Sequence, residues 1–297
     1  MRVLVTGGAG FIGSHIADAF DDVRVLDNLS SGFRVNVKDS AEFIEGDITN
    51  FDVVNKAMKD IDYVFHLAAF ISVPDSVKFP EKTYTINVKG TENVLKAAKA
   101  NGVKKVIFTS SAAVYGDNPN LPLKEDAELK PLSPYGKTKL EAERLCEQYN
   151  AVCLRPFNAF GPRQNPNSPY SGVISIFINN ALRNKDLVIY GDGTQTRDFV
   201  FVRDLVNAQM LAMKKGSGVY NVASNRQVSM NELAKRVIEL TGSKSEIRYA
   251  QPRKGEIKHS LADISKIKKI SFEVENGFEE GLKKTIEEVV LDEKIKG

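Results

Sequence analysis

The segment SPYGKTK (133–139) places a phenol, Tyr135, and an amine, Lys139, four residues apart. Positions i and i+4 share one face of a helix, so the two side chains stack if the segment is helical. Ser133 suits the N-cap of such a helix and Pro134 its first turn. A free phenol has a pKa near ~10 and is a poor base at neutral pH. A cation ~4 Å away, at an effective dielectric of ~20, contributes about 4 kcal/mol, an upper limit that would bring the phenol toward ~7. There it can accept and return a proton. Alone, such a pair is most often incidental on a surface helix. It gains meaning from the hydroxyl cluster Thr109, Ser110 and Ser111, which closes the β-rich run KKVIFTSS (104–111). Ser111 can pass a proton between a substrate and Tyr135; the plainer alternative is a capping serine.

A second constellation lies at the start of the chain. TGGAGFIG places Gly7, Gly10 and Gly13 between a strand and a helix, with Phe11 and Ile12 inside the turn. Such a turn lets backbone amides approach a pyrophosphate at a helix N-terminus. The G-x-x-G-x-x-G spacing departs from the commoner G-x-G-x-x-G. Its context supports it, because Asp27 closes the next strand twenty residues after Gly7, the spacing at which an acid meets the adenosine ribose. A carboxylate there repels a 2′-phosphate and favours NAD. Arg34, seven positions on, leaves NADP open as the alternative.

The elements that must position these groups follow a regular alternation. Strands are expected at 2–6, 23–27, 41–47, 63–69, 104–111 and 151–158, with helices near 11–20, 51–59, 87–102 and 133–149 between them. Continuous apolar strands alternating with helices indicate a doubly wound, mostly parallel α/β sheet covered on both faces. The stretch GPRQNPNSPYSG (161–172), rich in Pro, Asn and Gly, marks a loop and a border. Residues 1–160 are expected to form a dinucleotide-binding, Rossmann-like domain, with part of 195–225 rejoining it through the strand VYNVA (219–223). Residues 161–297 are expected to form a smaller α/β substrate domain.

The bulk numbers narrow the partners. The chain has 297 residues, 42% of them apolar, and a net charge of +3 from 41 basic and 38 acidic side chains. That balance implies no nucleic-acid or membrane partner, and no apolar run reaches the ~18 residues of a membrane span. MRVLVTGG enters a strand at once without the layout of a signal peptide, so a cytoplasmic protein is expected. Cys146 and Cys153 read as buried free thiols, and no cluster has metal-ligand spacing. His66, inside YVFHLAA, reads as a packed, hydrogen-bonded histidine.

TGGAGFIG, TSSAAVYG and SPYGKTK together resemble the extended short-chain dehydrogenase/reductase group, and within it the UDP-glucose 4-epimerases and their nucleotide-sugar relatives; the resemblance runs from Met1 to about Ser265. It implies Tyr135 as acid/base, Lys139 as the residue that binds the nicotinamide ribose and tunes the phenol, and Ser111 as support for proton transfer. It also implies an adenosine segment containing Asp27, Asn28, Ser31 and Gly32, with Asp47 and Ile48 beside the adenine. Leu67, Ala68 and Ala69 would lie under the pyrophosphate, and Asn87 and Thr109 near the cofactor. On the nucleotide-sugar side fall Asn158, Val173, Tyr190, Arg197, Arg253 and Glu256. Two arginines suit a diphosphate. A homodimer is the family expectation, and the helices at 87–100 and 135–149 could supply it by pairing into a four-helix bundle; their apolar faces, including Val94, Leu95 and Ala98, could equally pack inward.

The reaction follows from what accompanies the tyrosine. Family members that eliminate water carry an Asp-Glu pair just after the hydroxyl residue, where this chain has Ala112 and Ala113; related decarboxylases carry a glutamate at the place of Ala113. What remains suits reversible oxidation of one carbinol: inversion of the sugar C4 hydroxyl of a UDP-hexose by transient hydride transfer to tightly bound NAD. Ser260 stands where a bulky residue excludes N-acetylated sugars, so those are expected as substrates too. Pro156 departs from the aromatic often found there. The rival readings are an epimerase of UDP-uronic acids, another nucleotide-sugar oxidoreductase or dehydratase, and an NAD-sensing regulator. The last commonly lacks the Tyr or the Lys.

Overall fold

The computed structural model describes residues 1–165, 172–252 and 257–296. The chain enters β1 (Val3–Thr6), turns into α1 (Phe11–Asp18), and returns through β2 (Val23–Asp27) and β3 (Glu42–Glu45). α2 (Phe51–Ala57) leads to β4 (Tyr63–His66), after which come two short helices, α3 (Val73–Lys78) and α4 (Pro80–Tyr84), a π turn over Thr85–Lys89, and α5 (Gly90–Ala100). Next come β5 (Lys105–Thr109), α6 (Pro134–Gln148), β6 (Val152–Pro156) and β7 (Ala159–Phe160). The remainder runs through α7 (Val173–Leu182), β8 (Leu187–Tyr190), β9 (Thr196–Asp198), β10 (Val200–Phe201), α8 (Val202–Lys215), β11 (Val219–Val222), β12 (Gln227–Ser229), α9 (Met230–Thr241), β13 (Ile247–Ala250), α10 (Ser265–Lys268) and α11 (Phe278–Lys296).

Seven strands form one parallel sheet in the order β11-β6-β5-β4-β1-β2-β3, so VYNVA does rejoin it, beside β6. Alternation along β1 shows why both faces are covered. Val3 and Val5 point to a core shared with Ile16, Phe20, Leu205 and Ala212, while Leu4 points to one shared with Val54, Met58, Val94 and Leu95. A third core joins Phe160, Phe177, Ile189, Phe199, Leu233 and Phe278 around β8, β13 and α9. The strand order reverses between β1 and β4, and in open α/β sheets the ligand crevice lies beyond the strand ends at such a point.

The helix expected at 87–102 is present, its first turn belonging to the π turn over Thr85–Lys89 and the rest to α5; the residues before it, where no element was expected, hold α3 and α4. Val94, Leu95 and Ala98 are buried in the core beneath α5, so they cannot meet a partner. Val73, Val77, Phe79 and Tyr84, on and beside α3 and α4, are among the exposed apolar side chains.

Candidate active site

A cleft of about 800 Å³ opens along the carboxyl ends of the sheet strands. Its first wall is the turn after β1. Gly7 has φ +73°, a left-handed conformation, and a Cβ there would sit 2.6 Å from the Ala68 nitrogen. A Cβ on Gly13 would meet the Gly7 carbonyl oxygen at 2.2 Å. The glycines thus let three backbone segments touch. Among the described residues no side chain caps α1, which leaves the first-turn amides of Phe11, Ile12 and Gly13 for an anion. This cradle fits the pyrophosphate of a dinucleotide.

Asp27 is buried at the end of β2. Its Oδ2 accepts from the Ala9 amide (2.9 Å) and its Oδ1 from the Leu29 amide (2.8 Å). Each oxygen keeps a second lone pair, so ribose hydroxyls can still be bound. Asp47 accepts from Asn28 Nδ2 (2.8 Å) and from the amide and hydroxyl of Thr49 (2.8 and 2.7 Å). Partial burial works against its charge, but these donors and Lys82 prevail and hold the carboxyl below its usual range. Asn28, Ser31, Gly32, Ile48, Leu67, Ala68 and Ala69 all line the cleft, as does Gly10. Arg34 turns away: its guanidinium packs on the Phe43 ring at 4.8 Å and donates to the Val37 carbonyl. Asn87 stands behind the wall, accepting from the Phe70 amide (2.7 Å) and donating to the Phe70 carbonyl and Thr138 (3.1 Å each).

Ser133 caps α6 by accepting from the Gly136 amide (3.1 Å), with Pro134 in the first turn, which aims Tyr135 and Lys139 into the cleft. Ser111 takes the capping position that was its plainer reading. Its oxygen accepts from the Ala113 amide (3.1 Å), and it lines the cleft together with Tyr135. Lys139 donates to the Thr109 carbonyl (2.8 Å), and its Nζ lies 4.8 Å from the Phe108 ring centre and 6.0 Å from that of Tyr135. Burial brings Lys139 down to about 8, against the pull of Cys146, Glu143 and Cys153. The expected lowering of the phenol by Lys139 is not present in the protein alone. Burial pushes Tyr135 up, and the nearby Ser111 hydroxyl is the influence that opposes it. The physical reason is that an ammonium 6 Å from the ring, engaged by a carbonyl, does not offset desolvation of a phenolate.

A second cavity of about 510 Å³ adjoins the first and shares Asn158 with it; Val173, Tyr190 and Arg197 also line it. Arg197 donates to the Thr196 carbonyl (2.9 Å), and Asn158 to the Asp198 carbonyl (3.0 Å). Asp198 ties this region together, accepting from Ser224 and from the Ala262 amide (3.1 Å), with its carboxyl pushed up to about 6 by burial. Ser260, half-buried, lies two residues before that anchor. Arg253 and Glu256 lie outside the described residues. Sequence reading passed over Phe70, Ile71, Arg163 and Gln164, which also line the first cleft, and Phe177, Asn180 and Gln195 in the second. GPRQ was the one available signal for Arg163 and Gln164.

A glycine turn, an acid closing the second strand, and a Tyr–Ser–Lys group over the same strand ends define a nicotinamide-dependent enzyme acting on a carbinol. The chain belongs to the NAD dependent epimerase/dehydratase family, whose model matches residues 3–223. It is similar to the UDP-glucose 4-epimerase of Mycolicibacterium smegmatis, 36% identical over 307 residues, covering 97% of this chain and 98% of that one. Among solved structures it is similar to the UDP-N-acetylglucosamine 4-epimerase from Methanobrevibacter ruminantium in complex with UDP-N-acetylmuramic acid (44% identity, 98% of both chains, TM-score 0.93). It is also similar to the UDP-glucose 4-epimerase of Thermotoga maritima with UDP-glucose (38% identity, 98% and 99% of the chains, TM-score 0.94).

Proposed function

We propose that the protein inverts the C4 hydroxyl of UDP-hexoses, interconverting UDP-glucose and UDP-galactose and accepting their N-acetyl forms, with NAD held throughout. The observation that carries this reading is Tyr135, Ser111 and Lys139 lining one cleft that shares Asn158 with a cavity lined by Arg197 and Tyr190. The chemistry NAD supplies in such a cleft is reversible acceptance of hydride from a carbinol carbon. Tyr135 takes the proton of the 4-hydroxyl and returns it. Ser111, its oxygen fixed by the Ala113 amide, passes that proton when the hydroxyl lies out of reach of the phenol. Lys139 binds the ribose side and places a cation behind the phenol. The first-turn amides of α1 bind the pyrophosphate, Asp27 the adenosine ribose, and Asp47 and Ile48 flank the adenine.

On the other side Arg197 and Arg253 hold the diphosphate of the substrate, Tyr190 lies against uracil, and Asn158, Val173 and Glu256 complete the contacts. Anchors at the nucleotide end leave the sugar ring free to present either face, which inversion requires. Ala112 and Ala113 place no carboxylate beside Ser111, so no second proton transfer competes. We take residues 1–160, with the strand at 219–222, as the cofactor-binding part and 161–297 as the substrate part. A homodimer in the cytoplasm completes the proposal, supported by the exposed apolar side chains of α3 and α4 and by two buried, unbridged cysteines. The test is incubation of purified protein, without added NAD, with a panel of UDP-sugars followed by NMR at the sugar 4-position. UDP-galactose should yield UDP-glucose, and recovery of every sugar unchanged would refute the reading.

A further inference from the structure

His66 closes β4 and is fully buried, one residue before the segment Leu67–Ile71 that floors the cofactor cleft. Its ring bridges two threonines: Nδ1 to Thr6 Oγ1 at 2.7 Å, and Nε2 to Thr91 Oγ1 at 2.9 Å. The direction of each bond can be worked out. The Thr91 hydroxyl lies 2.6 Å from the Asn87 carbonyl, which only accepts, so its hydrogen is spent there. Its oxygen must therefore accept from His66, and Nε2 carries the proton. In a neutral imidazole Nδ1 is then the acceptor, and Thr6 donates to it. The neutral form is the one this place stabilises, because burial, with Lys139 nearby, brings the histidine down to about 3.

Both ends of this relay reach the site. On one side the Ala68 amide is held by the Thr6 carbonyl (3.1 Å) and weakly by its hydroxyl (3.4 Å). On the other, the π turn over Thr85–Lys89 carries Asn87, whose side chain clasps both the amide and the carbonyl of Phe70. Asn87 also donates to Thr138, which donates in turn to the Tyr135 carbonyl (2.9 Å). One set of hydrogen bonds of fixed polarity thus joins the end of β1, the cleft floor and the first turn of α6.

We propose that His66 is a positioning residue for the reaction: held as its Nε2–H tautomer, it fixes the cleft floor at Ala68 and Phe70 and, through Asn87 and Thr138, the helical turn that bears Tyr135. The inference rests on the proposed function for what the cleft does, but its test includes readouts other than turnover. Thr91→Val keeps the volume, removes the hydroxyl, and leaves the Nε2–H without an acceptor; Thr91→Ser keeps the hydroxyl. Loss of one partner of a buried hydrogen bond should speed NAD release about tenfold in Thr91→Val, with Thr91→Ser within about twofold of the parent. Amide exchange at Ala68 and Phe70 should accelerate in Thr91→Val and in His66→Phe but not in Thr91→Ser. The midpoints of the pH–rate profile should stay where they are in all three, because His66 moves no proton. Parental NAD retention and undisturbed protection of both amides in Thr91→Val would overturn the inference. A parent protein that releases NAD slowly but leaves every UDP-sugar unchanged would refute the proposed function and leave this inference standing.

Discussion

The phenol of Tyr135 and the ammonium of Lys139 are pushed in opposite directions by the same burial, the phenol up and the amine down to about 8. At neutral pH the free protein therefore holds a neutral phenol and a mostly protonated lysine. As pH rises through about 8, Lys139 loses its charge, and with it the ammonium proposed to hold the ribose side of NAD. We expect kcat/KM, which reports the free enzyme, to fall on the alkaline side with a midpoint near that value. In Lys139→Met the rate should be low throughout and the alkaline limb gone. A parental profile flat to pH 9 would contradict this. Tyr135→Phe removes only the proton carrier, so interconversion should drop about 10²–10⁴-fold while NAD still copurifies. Near-normal turnover in that variant would exclude Tyr135 as the acid/base.

Among the elements, the turn between β1 and α1 has the least tolerance. A methyl group on Gly13 would lie 2.2 Å from the Gly7 carbonyl oxygen and 2.9 Å from the Gly8 Cα, backbone atoms that cannot swing aside. Gly13→Ala should destabilise the protein by about 1–3 kcal/mol and strip it of NAD, as measured by denaturant unfolding and by nicotinamide content after gel filtration. This turn, the helix behind Ser133 and the strands of the sheet were legible in the sequence because each is a local pattern. Glycine spacing, a capping serine ahead of a proline, and continuous apolar runs all act within a few residues. α3 and α4 were not legible. Pro74 and Pro80 break the helical period, and these short pieces are held by long-range bonds such as that of the Tyr135 amide to Ser76 Oγ (3.1 Å). The same limit explains Asn87. Its motif marks a residue near the cofactor, but only the folded chain shows that its side chain is spent on Phe70. It also explains the phenol, because spacing predicted the stacked pair but not the carbonyl of Thr109 that draws Lys139 aside.

Across the whole molecule, two surfaces carry the account. Val77 and Phe79 are 64% and 54% exposed, and with Val73 and Tyr84 they form an apolar face on and beside α3 and α4, in contact with α6. A second copy seated there would bury them and stiffen the helix that carries Tyr135. If the proposed dimer forms through this face, Val77→Asp should yield monomer in sedimentation velocity where the parent sediments as a dimer; a dimer in both would place the interface elsewhere. The other surface is the pair of joined cavities, where one tyrosine serves a sugar anchored by its nucleotide. Its central claim is that hydride leaves and re-enters the same carbon without escaping to water. Turnover of UDP-galactose deuterated at C4, followed by NMR of the UDP-glucose formed, tests this most directly. Full retention of deuterium at C4 of the inverted product is the predicted result, and replacement of the label by solvent hydrogen would contradict it.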